Sequence, residues 1–204
     1  MNQWLLLCVG VLLTLGSALF VASEFSLINL ERNDVESRRD RGEKGLNNTI
    51  RALKQTSHHL SGAQLGITIT TMLTGFIAEP AIGELLRPGL MDLGLSQDAS
   101  RATSAVLTMV IATIFSTLFG ELVPKKWALT NPLGVNRFVI GYQLAFSWLF
   151  GFLIKGQMAI GNGVVRLLGM EPKEELSSSR TADELASLVR RAASLGALDQ
   201  QTAT

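Results

Sequence analysis

Two carboxylates, Glu24 and Glu121, stand within long apolar runs and are flanked by small or hydroxyl-bearing residues. An ionisable group in hydrocarbon costs at least about 2.5–3.5 kcal/mol near the bilayer centre, so such groups are rare and mark function. Ser23 and Ser26 bracket Glu24, Thr68 and Thr71 lie in a second apolar run, and Gly120 precedes Glu121 with Pro124 just beyond. In an α-helix the Gly120 carbonyl would accept the N–H of residue 124. Proline has none, and in a membrane the freed oxygen must be met by protein, water or an ion. Carboxylate, carbonyl and hydroxyl oxygens make a hard ligand set that suits Mg²⁺, and after it Ca²⁺ or Mn²⁺, rather than zinc or copper. The candidate metal ligands are thus Ser23, Glu24, Thr68, Thr71, Gly120 and Glu121. Pro124 breaks the helical ladder, and Lys125 and Lys126 follow as a basic membrane end.

Plainer readings compete at each position. Glu121 would also pair with Lys125 one helical turn on, and Glu24 would also bond to neighbouring helices. Serine and threonine in spans usually bond back to their own helix. Gly62, Gly66 and Gly75 read as close-packing positions, and His58-His59 as a solvated interfacial pair. The lone Cys8 makes neither a disulfide nor a zinc site.

The elements that must position these groups are membrane helices. Charged residues are 17% of the 204, against about a quarter in soluble domains, and mean hydropathy is +0.30. A net charge of +1 lacks the concentrated basic excess of a nucleic-acid-binding domain. A span needs roughly 20 mostly apolar residues, which predicts spans over about 4–30, 60–78 and 102–123. The second closes at Glu79-Pro80 and the third at Pro124. The first run has no basic residue before it and is too long for a signal core.

Lys and Arg crowd the loop between the first two spans (Arg32, Arg38, Arg39, Arg41, Lys44, Arg51, Lys54), whereas only Arg87 and Arg101 lie in the next. The positive-inside rule puts the first loop and the C-terminal tail in the cytoplasm and the N-terminus outside. Three crossings satisfy that topology, with 132–154 as a re-entrant or belt segment; four plain spans with an external tail are the alternative. The first loop, with Leu46, Ile50 and Leu53 at helical spacing, suits an interfacial helix hairpin as well as a solvated loop. Over 173–204 a capping box at Thr181 and Glu184 opens a helix that reads as a cytoplasmic linker to a further domain.

The segments Phe20-Val21-Ala22-Ser23-Glu24-Phe25-Ser26-Leu27, Gln64-Leu65-Gly66-Ile67-Thr68 and Phe119-Gly120-Glu121-Leu122-Val123-Pro124-Lys125-Lys126 resemble the CNNM/CorC family, often labelled hemolysin-like. The resemblance covers nearly the whole chain. It implies an all-α integral membrane fold over 1–172, with three transmembrane helices plus juxtamembrane belt helices, forming a homodimer in the cell membrane. It also implies Mg²⁺ efflux coupled to Na⁺. Adenine nucleotides would bind only through paired cytoplasmic CBS modules, which this chain lacks. Carried over by motif, ion ligands fall on Ser23, Gly120 and Glu121, and an asparagine of many members falls near Thr71. A second serine of some members is Val21 here. Threonine is a weaker ligand than an amide carbonyl, which weakens the case for Mg²⁺ unless Glu24 compensates.

The expected function is divalent-cation transport by alternating access, without enzymatic chemistry, since no nucleophile–base pair is visible. Its rivals are export of organic cations such as polyamines, and a membrane anchor or sensor for a cytoplasmic CBS module.

Overall fold

A computed structural model describes residues 2–171. Helices α1 (Gln3–Ile28), α2 (Arg32–Asp40), α3 (Asn47–Leu53), α4 (Thr56–Asp92) and α5 (Gln97–Phe115) come first. A π-helical turn, Ser116–Leu122, then leads into α6 (Val123–Thr130), α7 (Pro132–Leu149) and α8 (Gly151–Leu167). The chain is an all-α integral membrane protein. Three helices are long and apolar enough to cross a bilayer: Gln3–Ile28, Thr56–Asp92 and the continuous run Gln97–Thr130. Helices α7 and α8 meet that test only as a pair, bent by 79°, the geometry of a broken span or a re-entrant segment. The capping box at Thr181 and Glu184 lies outside the described residues.

The helix ends differ from those predicted. Pro80 does not end the second helix, because α4 runs through both Pro80 and Pro88 to Asp92. Pro124 does not close the third, because it opens α6 at its first turn, where a missing N–H breaks least. In the membrane a proline's freed carbonyl can be met by neighbouring helices and local π adjustment, so proline is a weaker stop signal there than in water. At 1.5 Å per residue α4 is about 55 Å long, well beyond a hydrocarbon core of about 30 Å.

The centre of the bundle is α1, packed on α4, α6, α7 and the π-turn. Small residues bring α1 and α4 close, as in membrane helix pairs generally. A Cβ on Gly66 would stand 2.5 Å from the Phe20 ring, and one on Gly10 would stand 2.5 Å from Ala78 Cβ. The expected interfacial hairpin forms: α2 and α3 turn at Gly42 (φ +92°) and Gly45 (φ +81°), and Val35, Leu46 and Ile50 bury together. Arg137 on α7 reaches Glu43 in that turn at 2.7 Å. Helix α7 begins where the Asn131 side chain accepts the Gly134 N–H at 3.1 Å, and it turns Asn136, Gln143 and Ser147 into the bundle.

Candidate metal centre

The packing of α1 fixes the relative levels of the six candidate ligands. Against α4 it runs antiparallel, with Gly10 facing Ala78, Gly16 facing Thr70, and Phe20 packed on Gly66. Thr71 therefore falls opposite Leu15 and Gly16, and Thr68 near Ala18. Against the third span α1 runs parallel. A Cβ on Gly120 would stand 3.5 Å from Thr14 Cγ2, and Ala22 clusters with Ala128. Thr14, Thr71, Gly120 and Glu121 thus share one level, close to the middle of α1. Ser23 and Glu24 lie nine and ten residues beyond Thr14, about 14–15 Å along the axis.

So the structure brings Thr71, Gly120 and Glu121 to one level and sets Ser23 and Glu24 at another. A third helix ending at Pro124 would leave Glu121 only about four residues, roughly 6 Å, from the paired lysines. The continuation to Thr130 carries Glu121 away from the helix end.

The local backbone at Gly120 is a π-turn, a form frequent at functional sites. The Val123 N–H reaches back five residues to the Leu118 carbonyl. In that register the Phe119 carbonyl would look to residue 124, and in the α register the Gly120 carbonyl would; Pro124 has an N–H for neither. Gly120 is buried, whereas Glu121, Thr68 and Thr71 are exposed on the single chain. Thr68 donates to its own helix at the Gln64 carbonyl, 2.9 Å away. Among the described residues no ion pair joins Glu121 to Lys125. The Lys125 ammonium lies instead over the Phe25 ring, 4.4 Å from its centroid.

At the second level Ser23 is wholly buried and its hydroxyl has no hydrogen-bond partner; Glu24 beside it is half-buried. Among the described residues no three His, Cys, Asp or Glu side chains come together, so a cation here would rest on one carboxylate and neutral oxygens at each level.

Residues 8–202 match the family described as the cyclin M (CNNM) transmembrane N-terminal domain. The chain belongs to this CNNM family. It is 46% identical over 191 residues, 94% of its length, to the UPF0053 protein MT1890 of Mycobacterium tuberculosis (strain CDC 1551 / Oshkosh), of which that covers 42%. It is 33% identical to the UPF0053 protein YhdT of Bacillus subtilis (strain 168), over 90% of this chain and 40% of that one. It is 32% identical to the uncharacterized protein Rv1841c of Mycobacterium tuberculosis (strain ATCC 25618 / H37Rv), over 96% and 56%. The CNNM chain described here spans about half the length of these curated relatives.

Sequence reasoning misplaced one histidine of a pair in this CNNM domain and missed a group of residues. His59 is not a solvated interfacial residue. It is buried, with Nδ1 2.9 Å from Ser147 Oγ and its carbonyl accepting from Gln143 Nε2 at 2.9 Å. Asn136, Gln143 and Ser147 recur at seven- and four-residue spacing along α7, one face of a helix. That spacing was the available signal for a polar seam turned inward. Thr14 was also missed; its hydroxyl donates to the Gly10 carbonyl at 3.0 Å, and nothing but its depth in α1 marks it.

Proposed function

We propose that this domain carries Mg²⁺ out of the cytoplasm, coupled to Na⁺, by alternating access in a homodimer of the plasma membrane. The observation that carries the reading is Glu121, a carboxylate on a π-turn, level with the middle of α1 and with Thr71. A carboxylate at that depth is too costly to leave bare against hydrocarbon. A second copy covering the face and a cation held by Glu121 together remove that cost. Ser23 and Glu24 then form a lower station toward the end that carries α2 and α3. The basic residues of α2 and α3 put that end in the cytoplasm, with the N-terminus outside. A cation entering there meets Ser23 and Glu24 first, sheds part of its water, and moves about 14 Å to Glu121, the Gly120 carbonyl and Thr71. No covalent bond is made or broken, so the domain needs no catalytic residues.

The test is Glu121→Gln in proteoliposomes holding a fluorescent Mg²⁺ indicator. Flux should fall to the level of empty liposomes while the purified protein still elutes as wild type does. Undiminished flux in that variant would refute the site. Competition by spermidine would turn the reading toward organic cations. A melting temperature of wild type indifferent to Mg²⁺ would favour an anchor or sensor.

A further inference from the structure

A cleft of about 990 Å³ runs between α4 and α5 from the level of Thr71 toward their connecting turn. Met72, Phe76, Gly83 and Arg87 line it from α4, and Arg101 and Thr108 from α5. On each helix these residues stand four or seven positions apart, so each helix contributes one face.

We propose that this cleft is a phospholipid site, with the lipid phosphate held by Arg87 and Arg101 and an acyl chain lying along Phe76 and Met72. Its length fits one leaflet. From Met72 to Arg87 is fifteen residues, about 22 Å, and half a bilayer with its headgroups is about 20–22 Å. Its chemistry changes along that length in the same sense as a lipid. On the single chain Phe76 and Met72 are 83% and 72% exposed at the deep end, and the two arginines stand at the turn end.

The top of the cleft calls for an anionic oxygen. Arg87 Nε is buried without a hydrogen-bond partner, and an Nε–H can only donate. One turn lower, against Gly83 on the opposite wall, Thr108 Oγ1 is likewise buried and without a partner among the described residues. Neither arginine is held in an ion pair among the described residues, although Glu79 and Glu84 line the same cleft. Glu84 accepts from Gln3 Nε2 at 2.6 Å. The Glu79 carboxylate folds along its own helix, 3.5 Å from where a Gly75 Cβ would stand. The position of Arg87 is also fixed, since its carbonyl accepts from Ser100 Oγ at 3.2 Å. Free phosphate would use the arginines and leave the apolar wall bare, whereas a phospholipid uses both. Two carboxylates oppose the lipid: Glu84 near the phosphate end, held by Gln3, and Glu79, eight residues and about 12 Å below Arg87, beside the acyl chain.

Native mass spectrometry of the full chain in mild detergent tests this with dioleoyl phosphatidylglycerol, dioleoyl phosphatidylethanolamine, dioleoylglycerol and inorganic phosphate as separate probes. The two phospholipids should be retained, and dioleoylglycerol and inorganic phosphate at least tenfold less. Arg101→Gln, at an exposed position that folding tolerates, should lower phospholipid retention several-fold, and with Arg87→Gln added at least tenfold. Glu79→Gln should raise it. Equal retention of dioleoylglycerol, displacement of lipid by inorganic phosphate, or indifference to the arginine substitutions would overturn the proposal. So would a disulfide between two copies carrying Phe76→Cys, because a second chain would then fill the cleft.

Discussion

Ser23 and Ser26 are three residues apart on α1, both with no measurable exposure, yet the structure treats them oppositely. Ser26 donates to the Ser23 carbonyl at 2.9 Å and accepts from Asn136 Nδ2 at 3.0 Å. Asn136 in turn accepts from Thr49 Oγ1 at 2.7 Å, so one buried chain of polar groups ties α1, α7 and α3 together. The Ser23 hydroxyl has no hydrogen-bond partner among the described residues. Burying a polar group is tolerable when it is hydrogen-bonded and costly when it is not. The satisfied serine belongs to the scaffold, and the unsatisfied one is available to a ligand. Polarity inside a membrane domain therefore does not locate a site; polarity without a protein partner does.

The strongest challenge to that contrast is Asn136→Ala. It removes both hydrogen bonds of the relay, leaving the Thr49 hydroxyl buried and unpaired and the Ser26 hydroxyl with only its bond to the Ser23 carbonyl. The loss should be about 1–3 kcal/mol, since an abandoned buried donor or acceptor costs more than the average hydrogen bond gains. Thermal denaturation in detergent should show this at about 2–4 °C per kcal/mol. A melting temperature equal to wild type would mean the relay is not structural. Ser26→Ala is milder, because Asn136 keeps its bond from Thr49. Interhelical hydrogen bonds in membranes average about 0.6 kcal/mol, and the melting temperature should fall by a degree or two. A loss larger than that of Asn136→Ala would show that Ser26, not Asn136, anchors the relay.

The sequence carried the fold further than the site. Three spans, the α2–α3 hairpin and the unusual position of Glu121 follow from hydropathy, charge spacing and the rarity of carboxylates in apolar runs. The helix ends did not follow, because Pro80 and Pro124 read as stops by rules learned in water, while a membrane helix runs through both. Counting from Pro124 and the paired lysines also sets Glu121 only about four residues, roughly 6 Å, from the inner end, whereas the helix continues to Thr130. The levels became visible only from inter-helix contacts such as Gly120 on Thr14, which no spacing within one helix encodes. The inward seam of α7 was hidden for a related reason. Asn136, Gln143 and Ser147 sit singly among apolar residues, and only their contacts with Thr49 and His59 show what they serve.

Ser23→Ala should have the smallest effect on stability and the most telling one on function. It deletes a hydroxyl that has no protein partner, so no bond is lost and a desolvated polar group is removed. The apo melting temperature should stay unchanged or rise, since an unpaired buried hydroxyl costs about 1–3 kcal/mol by mutational measure, partly offset by the small void left behind. Ligand binding stabilises only the folded state, by an amount that grows with concentration over Kd, so Mg²⁺ should raise the wild-type melting temperature. In Ser23→Ala that rise should shrink, and Mg²⁺ flux into liposomes should drop with it. A variant destabilised as much as Ser26→Ala, with an intact response to Mg²⁺, would place Ser23 in the scaffold beside its neighbour. The lower station would then lose its buried hydroxyl, and Mg²⁺, which takes several oxygen ligands, would have one reason fewer to shed water there.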